Sequence, residues 1–424
     1  MTNNMRKLLE RSGNFLRRML KKPAWNFNGF VADPRQKQGR RWPFATLMQT
    51  MLWGFLTHRS SLRNVETLSE LAGTRRVPDS TLYDLLGQFD EKDEAQLRKQ
   101  LHAQVKDAWR SKALAPVGLP CGVVAVDNKT LWSGTPEAAQ DPQAQTIRPK
   151  DRPAYATLRA VRTVLISAAS KPAIDHVIIP ATTNEGGLFK EVFPVLEREF
   201  GAFIEVYSMD AGFCSEANAR LIADAQKGYL FALKENQPTL YGEAVRVLGG
   251  QTVPELSSEW ERYQGYRVRY HLYRTRELAG YLEWGHLEQV WRIEKEIVQA
   301  ATGVCEREQH YYVTNLPWGR FKAAQILLVV RSHWGIENNC NWTMDVIWDE
   351  DSKVWCGQNY AIRMLGLLRL MAYNLMAHLR CRYLRQQAER AAQRRRWREW
   401  GDILLLVLSG PAKDTQTQAG LVGT

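Results

Sequence analysis

None of the six cysteines (Cys121, Cys214, Cys305, Cys340, Cys356, Cys381) stands in a C-x-x-C pair. Their scatter argues against a zinc site or a disulfide frame and for reduced intracellular thiols. No apolar run approaches the roughly 20 residues needed to cross a bilayer, and ILLLVL at 403–408 is far too short. The basic opening MRKLLERSGNFLRRMLKK is interrupted by charge every few positions, so no signal-peptide core forms. There is no internal repeat. These absences lead to the expectation of a soluble, cytoplasmic protein.

What is present is a long, apolar-rich and basic chain. Its 424 residues suggest two to three domains at ~150 residues each. A 45% hydrophobic content with 15 tryptophans argues for folded protein, and a formal charge of +12 favours a polyanionic partner, nucleic acid before an anionic membrane surface.

The texture changes along the chain. Residues 1–115 read as helical: SSLRNVETLSELAG ends at Gly73, and VPDSTLYDLLGQFD restarts at Pro78, Asp79 and Ser80. The basic turn between them, with Arg75 and Arg76, makes the pair a candidate helix-turn-helix whose second helix enters a major groove. Residues 116–240 alternate short strands and helices, giving three strands, a helix, a strand, a helix and a strand, which predicts an α/β fold with a mixed sheet. Residues 241–308 read as a β-rich insertion. Residues 309–385 return to the core with a long helix from near Phe321 past Asn341 and a second amphipathic helix. The tail, 386–424, is basic and then reads as disordered; Arg380 to Arg398 hold eight arginines against the single Glu389.

Glu337, in HWGIEN, falls within a stretch that reads as helix core, beside Trp334 and Ile336. A half-buried carboxylate needs a cation or a proton. Asp127 is expected at the end of the first strand, and Asp210 directly follows the apolar run of the fourth. If those strands are parallel neighbours, both aspartates sit at the sheet's ligand-binding edge. Glu337 from an overlying helix would complete an oxygen-rich pocket suited to Mg²⁺ or Mn²⁺. Two such ions would serve phosphodiester chemistry.

AVDNKTLW, MDAGFCSEANARLI, GYLFALKENQPTLY and RSHWGIENNCNWTMDVIWDED together resemble the DDE transposases of bacterial insertion sequences, over roughly residues 120–380. The resemblance implies an RNase H-like core, a helical N-terminal DNA-binding region and a β-rich domain inserted before the glutamate helix. It implies a catalytic, metal-binding triad of Asp127, Asp210 and Glu337 with two divalent ions, Mg²⁺ or Mn²⁺. It further implies a homodimer at the nucleoid that binds terminal inverted repeats, cleaves them and joins the 3′-hydroxyls to target DNA. The Y-x-x-R-x-x-x-E-x-x-x-x-x-x-K pattern of the hairpin-forming branch is absent, with Val330, His333 and Met344 in its places. The chain instead matches R-x-H-W-x-I-E-N with W-x-x-D-V downstream, through Arg331, His333, Trp334, Ile336, Glu337, Asn338, Trp342, Asp345 and Val346.

Lys129, Lys234, Asn236, Arg331, His333 and Asn338 are candidate DNA contacts around this site, with Arg75 and Arg76 in the N-terminal region. Asp345, Asp349, Glu350 and Asp351 read as a solvated helix end, and Trp284 and Trp291 are candidates for stacking on a flipped base. Two other functions fit the same residues: a metal-dependent nuclease that cleaves without joining, and a domesticated DNA-binding protein without catalysis.

Overall fold

The computed structural model describes residues 3–36, 40–71, 76–350, 354–358, 360–384 and 397–409. The N-terminal helices are α1 (Asn3–Leu20), α2 (Phe44–Leu56), α3 (Leu62–Leu71), α4 (Asp79–Leu86) and α5 (Glu91–Arg110). The sheet region follows with β1 (Val123–Gly134), β2 (Gln145–Ile147), β3 (Tyr155–Val164), β4 (Ala173–Ile178), α6 (Glu185–Phe200), β5 (Val206–Met209), α7 (Glu216–Asp224) and β6 (Gly228–Leu233). Next come α8 (Pro238–Gly249), β7 (Leu256–Ser257), β8 (Glu261–Tyr263), β9 (Tyr266–Thr275), β10 (Gln289–Gln299) and β11 (Cys305–Thr314). The chain closes with α9 (Ala323–Gly335), a π-helical turn (Ile336–Asn341), α10 (Trp342–Trp348), α11 (Ala361–Leu384) and α12 (Trp397–Ser409).

The strands form one eleven-stranded mixed sheet among the described residues, in the order β2-β3-β1-β5-β6-β11-β10-β9-β7, with β4 on β3 and β8 on β9. β1, β5 and β6 are parallel neighbours, and the remaining pairings are antiparallel. The strands of the 241–308 stretch continue this same sheet, because β11 pairs with β10 along its length and with β6 through Tyr311–Thr314.

Both faces of the central strands are covered, which is why VVAV is apolar throughout and VYSM is buried at every position, Ser208 included. Alternation sorts them: Val123, Ala125, Val206 and Leu230 pack on one face with α2, α9 and α11, whereas Val124, Val126, Tyr207, Met209 and Phe231 pack on the other with α6, α7 and α8. Period two then puts Asp127, Lys129, Ser208, Asp210 and Lys234 on the α9 face.

Three expectations need correction. β1 does not end at Asp127; only its pairing with β5 ends there, at Val126, and the strand runs on to Gly134 against β3. The solvated helix end expected after Trp342 does not hold at Glu350, which is completely buried, and Asp351 lies outside the described residues. Trp284 and Trp291 are core residues, 2% and 0% exposed, out of reach of a flipped base.

Candidate functional site

β1 and β5 run side by side in parallel with Val126 opposite Met209, so the next residue of each chain segment, Asp127 and Asp210, emerges at the same carboxyl edge and on the same face. The register follows from two short strands buried on both faces; a slip by one residue would turn either aspartate into the opposite core.

The two acids meet different surroundings. Asp127 is 7% exposed. Its Oδ1 accepts the Asn128 backbone N–H at 2.7 Å, and its Oδ2 accepts an amide N–H from Asn341 at 3.0 Å. Burial foremost, then the facing charge of Asp210 with a further contribution from Glu337, pushes its carboxyl up to about 7 against opposition from His333. Asp210 is half-exposed and accepts a hydrogen bond from His333 Nε2 at 2.9 Å. Burial works against its charge, but His333 and Lys234 outweigh it and hold the carboxyl below the usual aspartate range.

His333 reaches Asp210 because it extends the apolar stripe of α9. Ile326, Val329 and Val330 bury against the sheet at helical spacing, and His333 is the next residue on that stripe, 4% exposed. A carboxylate only accepts, so Nε2 donates to Asp210, while Nδ1 lies 3.0 Å from Ser208 Oγ. Placed as a candidate DNA contact in the sequence, His333 instead sits between sheet and helix with both nitrogens engaged.

One residue beyond α9 the helix widens into the π-helical turn carrying Glu337. Such turns insert a residue into a helix and are frequent at functional sites. Glu337 is exposed rather than half-buried, and it lines an open cleft of about 420 Å³ together with Asp210, Lys234, His310, Tyr312 and Trp334. Glu337 is therefore not the half-buried carboxylate expected from its apolar surroundings in sequence, although it does face the cleft that contains Asp210.

The other candidates divide. Lys234 is exposed on the cleft wall just beyond β6. Asn236 donates to the Ala211 and Cys214 carbonyls at 2.7 and 3.2 Å, pinning the turn that follows Asp210. Lys129 is 8% exposed and paired with Asp345. Arg331 forms a forked pair with Glu261 at 2.7 and 2.6 Å and lies over the Tyr270 ring. Arg76, 62% exposed, pairs with Glu66 at 2.5 Å and Glu70 at 3.3 Å. The outward residues of α4 are Ser80, Tyr83 and Asp84. Arg75 and the Asn338 side chain lie outside the described residues.

Sequence reasoning missed the residues behind Asp127. Arg162 stands directly opposite it on β3. It is wholly buried, and donates to Asn341 Oδ1 at 3.0 Å and to both oxygens of Glu350 at 3.0 Å. The available signal was the arginine itself: LRAVRTVL is a strand with apolar residues on both faces, and an inward Arg there demands a carboxylate.

The donor set of Asp127, Asp210 and Glu337 is the hard-oxygen chemistry that Mg²⁺ or Mn²⁺ takes, and the repulsion that, after burial, raises Asp127 is what a cation between the acids would relieve. Among the described residues, no group of three His, Cys, Asp or Glu side chains is already closed into a metal-binding arrangement. Asp127 Oδ2 and Asp210 Oδ1 are instead turned to Asn341 and His333. The residues fit the ion by chemistry and strand placement, with side-chain rotation needed to close on it.

Residues 125–375 match the family described as the transposase DDE domain. A curated Escherichia coli O157:H7 protein named "Putative transposase YncI" is 27% identical over 217 residues, covering 48% of this chain and 52% of its own length, so the chain spans about half of that relative. A cryo-EM structure of the piggyBac transposase synaptic complex with hairpin DNA superposes with a TM-score of 0.48 at 10% identity, covering 94% of this chain and 80% of that one. With more than half its length inside the match, the chain belongs to the transposase DDE-domain family. No helix among the described residues is long and apolar enough to cross a membrane.

Proposed function

We propose that the protein is a DNA transposase that binds the ends of its own insertion sequence, cleaves them and joins the 3′-hydroxyls to target DNA, with Asp127, Asp210 and Glu337 as its catalytic acids. The observation that carries this reading is the emergence of Asp127 and Asp210 from adjacent parallel strands onto the face covered by the glutamate-bearing helix, inside the family match. The same three acids would hold Mg²⁺ or Mn²⁺, which when bound supplies activation of a water or 3′-hydroxyl and charge neutralisation at the scissile phosphate. The core is of the RNase H-like type in this reading, and the acting species is a dimer, since two ends are joined in one event.

The chain's own residues supply the frame. The Asn128 backbone and Asn341 hold Asp127, while His333, braced on Ser208, orients Asp210. Lys234 brings positive charge to the open side of the cleft, where a phosphate backbone would approach. Lys129, tied to Asp345, stabilises the strand–helix junction, and the basic segment 380–398 adds sequence-independent attraction for DNA.

The test is cleavage of a labelled element end in Mg²⁺. Asp127→Ala, Asp210→Ala and Glu337→Ala each lose cleavage while end binding persists; retained cleavage in all three contradicts the assignment. With a supercoiled target added, joined product supports transposition, and nicking without joining favours a nuclease on the same site.

A further inference from the structure

An arginine directly across an antiparallel pair from an aspartate on the same face normally pairs with it, because opposed residues lie within about 5 Å. Arg162 and Asp127 are so placed, yet the guanidinium turns away. Glu350 takes one arm through both carboxylate oxygens, Asn341 Oδ1 takes the other, and Asn341 passes its own amide N–H to Asp127. The amide cannot be flipped without facing its NH₂ to a guanidinium and its oxygen to a carboxylate, so the chain Glu350–Arg162–Asn341–Asp127 has one sense only. Glu350 is delivered by the end of α10: Asp349 adopts a left-handed conformation (φ 49°), and the Glu350 N–H closes on the Met344 carbonyl at 3.1 Å, which turns the chain back toward the sheet. Arg369 of α11 lies in the field of the same carboxylate.

We propose that Glu350 is a positioning residue for Asp127: by holding Arg162 it keeps the guanidinium off the aspartate and fixes Asn341 as a neutral donor, leaving the carboxylate open to a divalent cation. This inference rests on the metal reading of the site given above. A direct Arg162–Asp127 pair would fill the place of the cation, whereas an amide locates the carboxylate without neutralising it.

The probe is Mn²⁺ alone, with free ion counted by electron paramagnetic resonance on the full-length chain, so that catalysis is not the readout. Glu350→Gln is expected to weaken Mn²⁺ binding by about tenfold or more, the scale on which an adjacent arginine stabilises an aspartate's charge. The double variant Arg162→Met/Glu350→Gln is expected to recover most of that loss, because the competing guanidinium is gone. A purely structural role predicts the reverse, with the double variant no better than the single one. Wild-type affinity in Glu350→Gln, or no recovery in the double variant, overturns the proposal. Should Glu350→Gln fail to fold, Asn341→Ala strands no charge and decides alone: weakened Mn²⁺ binding with an unchanged circular-dichroism melt supports the proposal, and unchanged affinity overturns it. A wild-type chain that binds no Mn²⁺ overturns the metal reading and this inference together, a result distinct from failure of the variants alone.

Discussion

Two buried aspartates on neighbouring parts of the same sheet are treated in opposite ways. Asp175, on β4, is fully buried and receives a cation directly: Arg98 from α5 forks onto it at 2.7 and 2.6 Å, and His102 Nε2 lies 2.8 Å away. Burial opposes its charge, yet these partners hold its carboxyl far below the ordinary range. Asp127, on β1, is nearly as buried but is bonded to amide N–H groups, and its carboxyl is pushed up to about 7. The arginine opposite it in register, Arg162, bonds to Glu350 and Asn341 instead. One acid fastens the N-terminal helices to the sheet; the other retains unrelieved repulsion, the electrostatic signature of a site built for something other than stability.

The comparison can be broken most severely through activity. Asp127→Asn keeps the shape and the Asn341 contact while removing the charge, and is expected to lower end cleavage by about 10³-fold or more, some 4 kcal/mol of barrier; a loss under tenfold would place Asp127 among the structural acids. The matching substitution Asp175→Asn strips the partner from the partly buried Arg98 and the buried His102 and is expected to cost about 3–5 kcal/mol of folding stability at pH 7, measured by denaturant unfolding. Because the folded-state value of Asp175 is depressed, its contribution is present above the unfolded value of 3.8 and is lost as pH falls toward the folded one.

For Asp127 the sign reverses. Its folded-state value near 7 exceeds the ordinary 3.8, so both states are protonated below pH 3.8, and between there and 7 the unfolded chain releases its proton first. Stability therefore falls as pH rises through that window and levels off above it. Asp127→Asn removes the penalty and is expected to be more stable than wild type at pH 8 by about 1–3 kcal/mol, with little difference at pH 4. The smallest expected effect lies at the surface: breaking the Arg331–Glu261 pair by Arg331→Met changes stability by about 1 kcal/mol or less, so a larger loss in a thermal melt would mean that the pair anchors α9 to β8.

Much of the fold was legible because its signals are local. VVAV and VYSM declare strands buried on both faces, and α9 and α11 declare themselves by helical spacing, so Asp127, Asp210 and Glu337 could be placed on elements in the right order. What escaped depends on distant partners. The pairing of β1 with β3 carries on through a register shift between Thr130 and Trp132, with the consecutive Leu131 and Trp132 both buried, so β1 outlasts the point where Asp127 leaves β5. Glu350 sits among acids that look solvated until Arg162, 188 residues earlier, is brought beneath it. The pairing of Arg76 with Glu66 and Glu70 likewise depends on how the chain folds back between α3 and α4. The π-helical turn has no counterpart in the spacing of HWGIENNCNW.

The central claim is that Asp127 carries a charge the fold leaves for a cation to balance. Thermal unfolding of wild type and Asp127→Asn at pH 8, with and without Mn²⁺, tests it most directly. Without metal the Asn variant is expected to melt higher, and Mn²⁺ at about 100 times its dissociation constant is expected to stabilise wild type by roughly 2.7 kcal/mol while leaving the variant largely unmoved. A variant that melts lower without metal, or that gains as much from Mn²⁺ as wild type does, would contradict it.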